Sequence, residues 1–139
     1  RFFFSKGKIM SGTNDWKYFT EKELGCKGTG ECFMDKEFMK QLILLREDYG
    51  KPMVITSGYR SPEYNAAVGG SPKSAHILGQ AVDVAISGSQ AYALVNKAIL
   101  HGFTGIGVAQ RGPHNKRFIH IDTMLNSDTT PRPTIWSYK

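Results

Sequence analysis

Three residues that lie far apart in the sequence have the side chains of a divalent metal site. His76 precedes Asp83 by seven residues, and His120 follows much later. Two imidazoles and one carboxylate, with a fourth position open to water, form the ligand set of a catalytic zinc site. If Asp83 and His120 lie on neighbouring strands, the three side chains can converge, and Zn²⁺ is the expected cofactor.

Asp83 is difficult to explain without a metal or an ionic partner. Residues 80–86 alternate as a strand, with valines and an isoleucine on one face and Asp83 between two alanines on the other. A carboxylate in the middle of a buried strand is costly unless it is paired or metal-bound. The same alternation places His120 and Asp122 on one face of a later strand, opposite two isoleucines.

Each of these residues also has an ordinary structural explanation. Histidines are often half-buried with a single hydrogen bond, Asp83 could cap a strand end, and Asp122 could form a turn. Two other histidines, His101 at a helix end and His114 in a loop, have local explanations of this kind. The combination of residues and spacing favours the metal site over any single explanation.

The elements that position these residues are predicted from capping and periodicity. Asp35 begins an amphipathic helix that Gly50 ends, and Ser61 begins a short helix with a proline in its first turn. A second long helix covers residues 89–101. Strands are predicted at residues 53–56, 80–86, 103–109 and 117–123. This mixture predicts an α+β fold with a small, mainly antiparallel sheet and flanking helices.

Length, composition and charge limit the class of protein. The 139 residues predict one domain, with residues 1–15 as an N-terminal arm and 126–139 as a C-terminal tail. No apolar run reaches the roughly 20 residues of a membrane-spanning helix, and residues 1–6 form neither an intact signal peptide nor an anchor. The net charge of +6 allows anionic partners, but the basic residues are too scattered to predict nucleic-acid binding. We predict a monomer.

The two cysteines allow two interpretations. Cys26 and Cys32 enclose a glycine-rich pentapeptide that is flexible enough to let their sulfur atoms meet. The sequence therefore favours a local disulfide in an exported protein, with two free thiols as the alternative.

Three segments resemble one family. They are S-G-Y-R-S-P-E-Y-N at 57–65, the pattern S-x-H-x-x-G-x-A-x-D at 74–83, and F-I-H-I-D at 118–122. Together they resemble the M15 zinc peptidases, which include D-alanyl-D-alanine carboxypeptidases and phage endolysin peptidases and share a metal core with the hedgehog signalling domain. The resemblance covers roughly residues 19–124 and implies the same α+β architecture.

The resemblance also implies a function and a set of site residues. His76, Asp83 and His120 would be the zinc ligands, and Arg60 and Ser74 would bind the substrate's carboxylate or a nearby carbonyl. The implied reaction is zinc-dependent hydrolysis of bacterial peptidoglycan stem peptides by a metal-activated water. Either D-Ala-D-Ala carboxypeptidase or endolysin-type endopeptidase activity is expected, in the periplasm or cell wall.

One position departs from the family pattern. The best-known M15 enzymes have a carboxylate general base three residues before the last zinc-binding histidine, where this chain has Arg117. Arginine cannot accept a proton from water. We therefore consider Asp122 and His114 as catalytic bases, with Glu63 third and Asp122 alternatively orienting a metal-bound imidazole. Arg117 also allows another function, a zinc-containing cell-wall or protein-binding module with little or no catalysis.

Overall fold

A five-stranded sheet organises the fold. The computed structural model describes residues 16–139, so the predicted N-terminal arm at 1–15 and the expectation for residues 1–6 lie outside the described residues. The strands are β1 (Val54–Ser57), β2 (Ala81–Ala85), β3 (Gly105–Ala109), β4 (Phe118–Asp122) and β5 (Thr134–Ser137). Their order in the sheet is β1-β2-β4-β3-β5.

Helices flank this sheet. The α-helices within residues 16–139 are α1 (Glu21–Leu24), α2 (Lys36–Tyr49), α3 (Pro62–Ala67) and α4 (Gly88–Leu100), and a 3₁₀ turn covers His114–Lys116. All strand pairs are antiparallel except β3 with β5, which are parallel. The predicted α+β class with a mainly antiparallel sheet is therefore confirmed.

Helix α2 forms where its capping residues predict it. The Asp35 side chain accepts a hydrogen bond from the Phe38 backbone N–H at 2.9 Å, which satisfies one of the free donors of the first turn. Gly50 ends the helix in the left-handed conformation at φ 77°. The apolar stripe of α2 is buried in the hydrophobic core.

The two faces of the sheet differ in chemistry. The isoleucines and valines of β2 and β4 are buried together with α2 and α4. The main members of this core are Phe38, Leu42, Leu94, Val82, Val84, Ile119 and Ile121. Strand alternation therefore sends Asp83, His120 and Asp122 to the opposite face. The core fixes the sheet, and the sheet presents these polar residues together.

The strand register provides the geometry that the metal hypothesis requires. Strands β2 and β4 are direct neighbours, and Asp83 is the Cα partner of His120. On the other side of β4, Gly107 of β3 is the partner of the same histidine. The condition placed on the predicted metal site, that the two strands be adjacent, is met.

Residues 126–139, predicted as a C-terminal tail, are not a tail in the structure. They contain β5, which pairs in parallel with β3 and places Ile135 beside Ile106 and Trp136 beside Gly107. Pro131 and Pro133 made the segment look irregular because proline cannot donate to a strand ladder. The strand begins directly after them, at the sheet edge, where an adjacent proline is tolerated.

Both cysteines are free thiols in the structure. Cys26 and Cys32 are both unbridged, which corrects the expectation of a local disulfide. The Cys26 thiol is buried and accepts a hydrogen bond from the Ser61 backbone N–H at 3.4 Å. Cys26 therefore helps to hold the N-terminus of α3 rather than joining its neighbour.

None of the helices formed by residues 16–139 combines the length and the apolar character that crossing a bilayer requires.

Candidate metal centre

His76, Asp83 and His120 meet on the polar face of the sheet. One ligand atom from each residue lies within 4.8 Å of the others, and all three residues are buried. His76 Nε2 is 3.3 Å from Asp83 Oδ1, and His120 Nδ1 is 3.1 Å from the same oxygen. The structure thus brings together the three residues that the sequence analysis assigned to the metal.

The loop between β1 and α3 orients the imidazole of His76. The Gly58 carbonyl lies 2.7 Å from His76 Nδ1, so that nitrogen carries the hydrogen and donates it. In addition, the Arg60 backbone N–H donates to the His76 carbonyl at 3.1 Å. Nε2 is left as the ring's acceptor, and it faces Asp83.

His120 is oriented by a different partner. Its Nε2 lies 2.7 Å from Asp122 Oδ2, and its Nδ1 faces Asp83. When Nε2 carries the hydrogen and donates to Asp122, Nδ1 is the free acceptor. Both histidines therefore have one nitrogen fixed by a protein acceptor and the other available to a metal, an arrangement common to metal-bound imidazoles.

Arg132 holds Asp122 in place. Its Nε donates to Asp122 Oδ1 at 3.0 Å and its Nη2 to Oδ2 at 2.8 Å, a bidentate pair. Asp122 is fully buried, and its Oδ1 also accepts from the Met124 backbone N–H at 3.2 Å. A carboxylate with both oxygens engaged is poorly placed to act as a base, so the geometry favours the orienting role for Asp122.

A glycine of the neighbouring strand makes room for this carboxylate. Gly105 is the Cα partner of Asp122, and a Cβ at Gly105 would lie 2.3 Å from Asp122 Oδ1. Real Cβ atoms do not approach an oxygen so closely, so only glycine fits without displacing Asp122. Sequence reasoning overlooked Gly105 and Arg132, although the alternating glycines at 105 and 107 in a predicted strand were an available signal.

Charge and burial act in opposite directions on the pKa values of the cluster. Burial acts to raise the pKa of Asp83, but when His120 and His76 carry a proton on the nitrogen that faces it, their hydrogen bonds and charge hold that pKa well below its usual range. Burial likewise opposes ionisation of Asp122, yet His120 and Arg132 lower its pKa to about 2. Burial acts to lower the pKa of His120, but Asp122 and Asp83 raise it. Two ionised carboxylates therefore favour a cation at this site, either a proton or a metal.

A cavity of about 680 Å³ opens over the cluster. Arg60 lines it, and its guanidinium is fixed by three groups of the chain. Nε donates to Ser57 Oγ at 3.1 Å, Nη1 to Asn65 Oδ1 at 3.1 Å, and Nη2 lies 3.5 Å from Asp83 Oδ2. This rigid cation beside the cluster could receive an anionic group of a ligand.

Ser74 also lines the cavity and supports the same loop. Its Oγ accepts a hydrogen bond from the His76 backbone N–H at 3.2 Å. Because a hydroxyl can accept and donate at once, its own hydrogen remains available to a ligand. The two predicted substrate-binding residues, Arg60 and Ser74, thus lie on the wall of the cavity that contains His76, Asp83 and His120.

Two of the predicted base candidates are not brought to the cavity. His114 is exposed in the 3₁₀ turn, and Glu63 is exposed on α3. His114 lies in the connection beyond the last strand pair, Ala109 and Phe118, and is not among the residues that line the cavity. The structure therefore gives no support to His114 as the base.

Arg117 lies on the side of the sheet opposite His76, Asp83 and His120. Its Nε and Nη2 donate to the Gly112 carbonyl at 3.0 Å and 2.8 Å. Together with Ile119 it lines a second cavity of about 550 Å³ beside α4. A side chain at position 117 of this backbone therefore faces away from His120.

The donor set fits zinc. Two neutral imidazole nitrogens and one carboxylate oxygen are typical zinc ligands, and the open cavity leaves access for water and a substrate. Gly58 and Asp122 supply the hydrogen-bond partners that ligating imidazoles usually have.

Comparison with known proteins places this geometry in context. The family described as Peptidase M15 matches residues 17–122. A curated relative, the zinc D-Ala-D-Ala carboxypeptidase of Streptomyces albus G, is 41% identical over 70 residues, which are 49% of this chain. The matched region covers 27% of that relative's length.

Proposed function

The chain belongs to the peptidase M15 family, and from this premise we propose that it is a zinc-dependent peptidase acting on bacterial peptidoglycan stem peptides. The observation that carries the proposal is the convergence of His76, Asp83 and His120 at the base of an open cavity. The carboxypeptidase activity in the relative's name adds support.

We propose His76 Nε2, Asp83 Oδ1 and His120 Nδ1 as the zinc ligands. When bound, zinc would supply Lewis acidity, which lowers the pKa of water and polarises a peptide carbonyl. The chain contributes the fixed orientation of its ligands. Gly58 holds one imidazole, Asp122 holds the other, and both imidazoles must be neutral to bind the metal.

Arg60 and Ser74 are proposed to bind the substrate. A guanidinium held by Ser57 and Asn65 has lost most of its rotamer freedom before substrate arrives, so little ordering is needed on binding. Its charge suits a terminal carboxylate, which supports cleavage at the C-terminal D-Ala-D-Ala bond over an internal cut. Ser74 would donate its hydroxyl hydrogen to a neighbouring carbonyl.

Proton transfer needs a general base, and the carboxylates that line the cavity are poorly suited to that role. Of the described residues, the carboxylates that line the cavity are Asp83 and Asp122, and both are engaged. Asp122 is therefore proposed as a positioning residue that fixes His120. The chain's residues bind, orient and neutralise charge, and none of these lining carboxylates is free to remove a proton.

A second function is favoured by that same shortage of a base. A zinc-containing module that binds cell-wall peptides and hydrolyses them little or not at all needs the ligands and Arg60 but no base. For either function we propose that the protein acts in the periplasm or the cell wall, because stem peptides are found there.

The experiment is a digest of synthetic stem pentapeptides by the zinc-loaded protein, with products identified by mass. Loss of one D-Ala indicates a carboxypeptidase, and a defined internal cut indicates an endopeptidase. Asp83→Asn is the matched control, because it keeps the side chain's size but removes the ligand charge, and it should be inactive.

The outcomes separate the two functions. Peptide binding by calorimetry without any cleavage would support the binding module and overturn the peptidase. Neither binding nor cleavage across carboxypeptidase and endopeptidase substrates would overturn both.

A further inference from the structure

Two aromatic side chains, Trp136 and Tyr138, line the cavity that contains His76, Asp83 and His120. Trp136 of β5 packs against His120 with ring centroids 5.1 Å apart, and Tyr138 packs against Phe118 at 5.0 Å. They come from the segment predicted as a tail, so neither received a role in the sequence analysis.

The polar atoms of these rings converge above a single glycine. A Cβ at Gly107 would lie 2.8 Å from Trp136 Nε1 and 2.8 Å from Tyr138 Oη. Gly107 is the strand partner of His120 on one side and of Trp136 on the other. The absence of a side chain at 107 therefore lets the indole N–H and the phenol hydroxyl approach the face of the sheet that holds the proposed ligands.

The indole N–H of Trp136 lies near the phenol oxygen of Tyr138, since both polar atoms are 2.8 Å from the Cβ position at Gly107. Because tryptophan only donates, Tyr138 Oη can only be the acceptor towards the indole, and the phenol hydrogen stays available to another partner. Partial burial raises the pKa of Tyr138 and outweighs Trp136, which acts to lower it, so the hydroxyl keeps its hydrogen at neutral pH.

We propose that the Tyr138 hydroxyl donates a hydrogen bond to the scissile carbonyl oxygen of the substrate as negative charge develops on it, with Trp136 as its positioning residue. This inference rests on the proposed peptidase function and adds a catalytic residue to it. A fixed donor aimed at developing charge stabilises the transition state without reorganising.

The reaction balances without a covalent change at tyrosine. Water forms the new C–O bond, the C–N bond breaks, and the two hydrogens of water end on the new carboxyl group and the leaving amine. Tyr138 shares its hydrogen with the oxyanion and keeps it throughout. No oxidant, reductant or further reactant is required.

The test compares wild type with Tyr138→Phe, which keeps the ring on Phe118 and removes only the hydroxyl. We expect kcat to fall about a hundredfold to a thousandfold, as for loss of one oxyanion donor, with KM and zinc content unchanged. Tyr92→Phe is the matched control, because Tyr92 is 80% exposed on α4, and it should behave as wild type.

A second measurement does not depend on turnover. A stem-peptide analogue with a tetrahedral phosphinate in place of the scissile bond carries the charge that the hydroxyl would meet. Calorimetry should show that Tyr138→Phe binds this analogue more weakly by the same factor as its loss in kcat, while binding of the product peptide is unchanged. A purely structural ring would weaken both ligands alike.

Trp136→Phe and the double variant examine the positioning role. Because both residues would act through one hydroxyl, Trp136→Phe should lower kcat less than Tyr138→Phe does. For the same reason the double variant should have nearly the kcat of Tyr138→Phe alone. If wild type binds the phosphinate but cleaves nothing, the peptidase function is contradicted. The ratio of phosphinate affinities between wild type and Tyr138→Phe then still tests the role of Tyr138. Equal phosphinate affinity in wild type and Tyr138→Phe, no binding by wild type, or additive effects would each overturn the proposal.

Discussion

Asp122 lies 2.7 Å from His120 Nε2 and leaves the other ring nitrogen facing the metal cluster. This contact determines which nitrogen of His120 can act as a ligand, because an imidazole whose Nε2 carries the hydrogen accepts only at Nδ1. Arg132 fixes Asp122 in turn. The position of one proposed zinc ligand, His120, thus depends on Arg132, a cation that follows the family match at residues 17–122.

Asp122→Asn should weaken zinc binding without removing a ligand. An amide can still accept from His120, but it loses the charge that favours this tautomer and the bidentate pair with Arg132. We expect the zinc dissociation constant to rise about tenfold to a hundredfold. The free energy of unfolding should fall by about 3 kcal/mol, because the guanidinium of Arg132, whose side chain is only 11% exposed, would lose its charged partner. Chelator competition and urea denaturation measure the two effects.

The surface of the same protein offers a matched control. Asp48 also joins a histidine and a cation, His101 and Lys97, but on an exposed part of the molecule. Asp48→Asn should leave zinc affinity unchanged. If Asp122→Asn behaves like Asp48→Asn in both measurements, Asp122 does not position His120.

Gly105→Ala should destabilise the protein through Asp122. The added Cβ would overlap the carboxylate, and overpacking of this kind costs about 1 to 3 kcal/mol. Urea denaturation of the metal-free protein measures this cost. In an Asp122→Ser background the shorter side chain leaves room, so the same substitution should cost clearly less. An equal cost in both backgrounds would show that the close contact is not the cause.

Zinc affinity should fall as the pH falls through the pKa of His120. Asp122 and Asp83 raise that pKa, so in the metal-free protein a proton occupies His120 at a higher pH than it would an ordinary histidine. The stability from this charged pair is present below the unfolded pKa of about 6.5 and is lost as pH rises through the folded value. Below the folded pKa, zinc must displace the proton.

Chelator competition at about pH 6 and about pH 8 measures this linkage. Weaker zinc binding at the lower pH is expected, together with proton release on zinc binding, seen as a dependence of the calorimetric heat on the buffer. Zinc affinity that is equal at both pH values would contradict the assigned ligand.

The sequence predicted the parts of the site that follow from strand alternation. Asp83 and His120 were placed on matching faces because the side-chain period of a strand is two residues, and adjacency of the strands completed the site. Helix α2 was equally predictable, because Asp35 and Gly50 mark its ends chemically.

The parts that depend on long-range pairing were not predictable. Strand β5 joins the sheet beside β3, and no local pattern states which strand a distant edge segment will pair with. Arg132, Trp136 and Tyr138 arrive at the site through that pairing alone. Position 117 was compared with the family's base by counting residues, but its face of the sheet became visible only with the register.

Arg60→Lys should abolish a preference for peptides with a free C-terminal carboxylate. Wild type should cleave the free acid about tenfold to a hundredfold better than the C-terminal amide, because a fixed guanidinium can pair with two oxygens. A lysine is a point charge and cannot reproduce the contacts to Ser57 and Asn65. Values of kcat/KM for both peptides measure the preference.

Arg111→Lys, at an exposed position, is the control for Arg60→Lys and should retain the wild-type preference. A preference that persists in Arg60→Lys would assign the substrate carboxylate to another group.

The central claim is that His76, Asp83 and His120 together hold one zinc ion. Native mass spectrometry after zinc loading and buffer exchange tests it directly. Wild type should carry one zinc per chain, His76→Ala should carry none, and His101→Ala, which removes a histidine that pairs with Asp48, should keep the ion. Full zinc retention by His76→Ala, or a wild type that binds no zinc, would contradict the account.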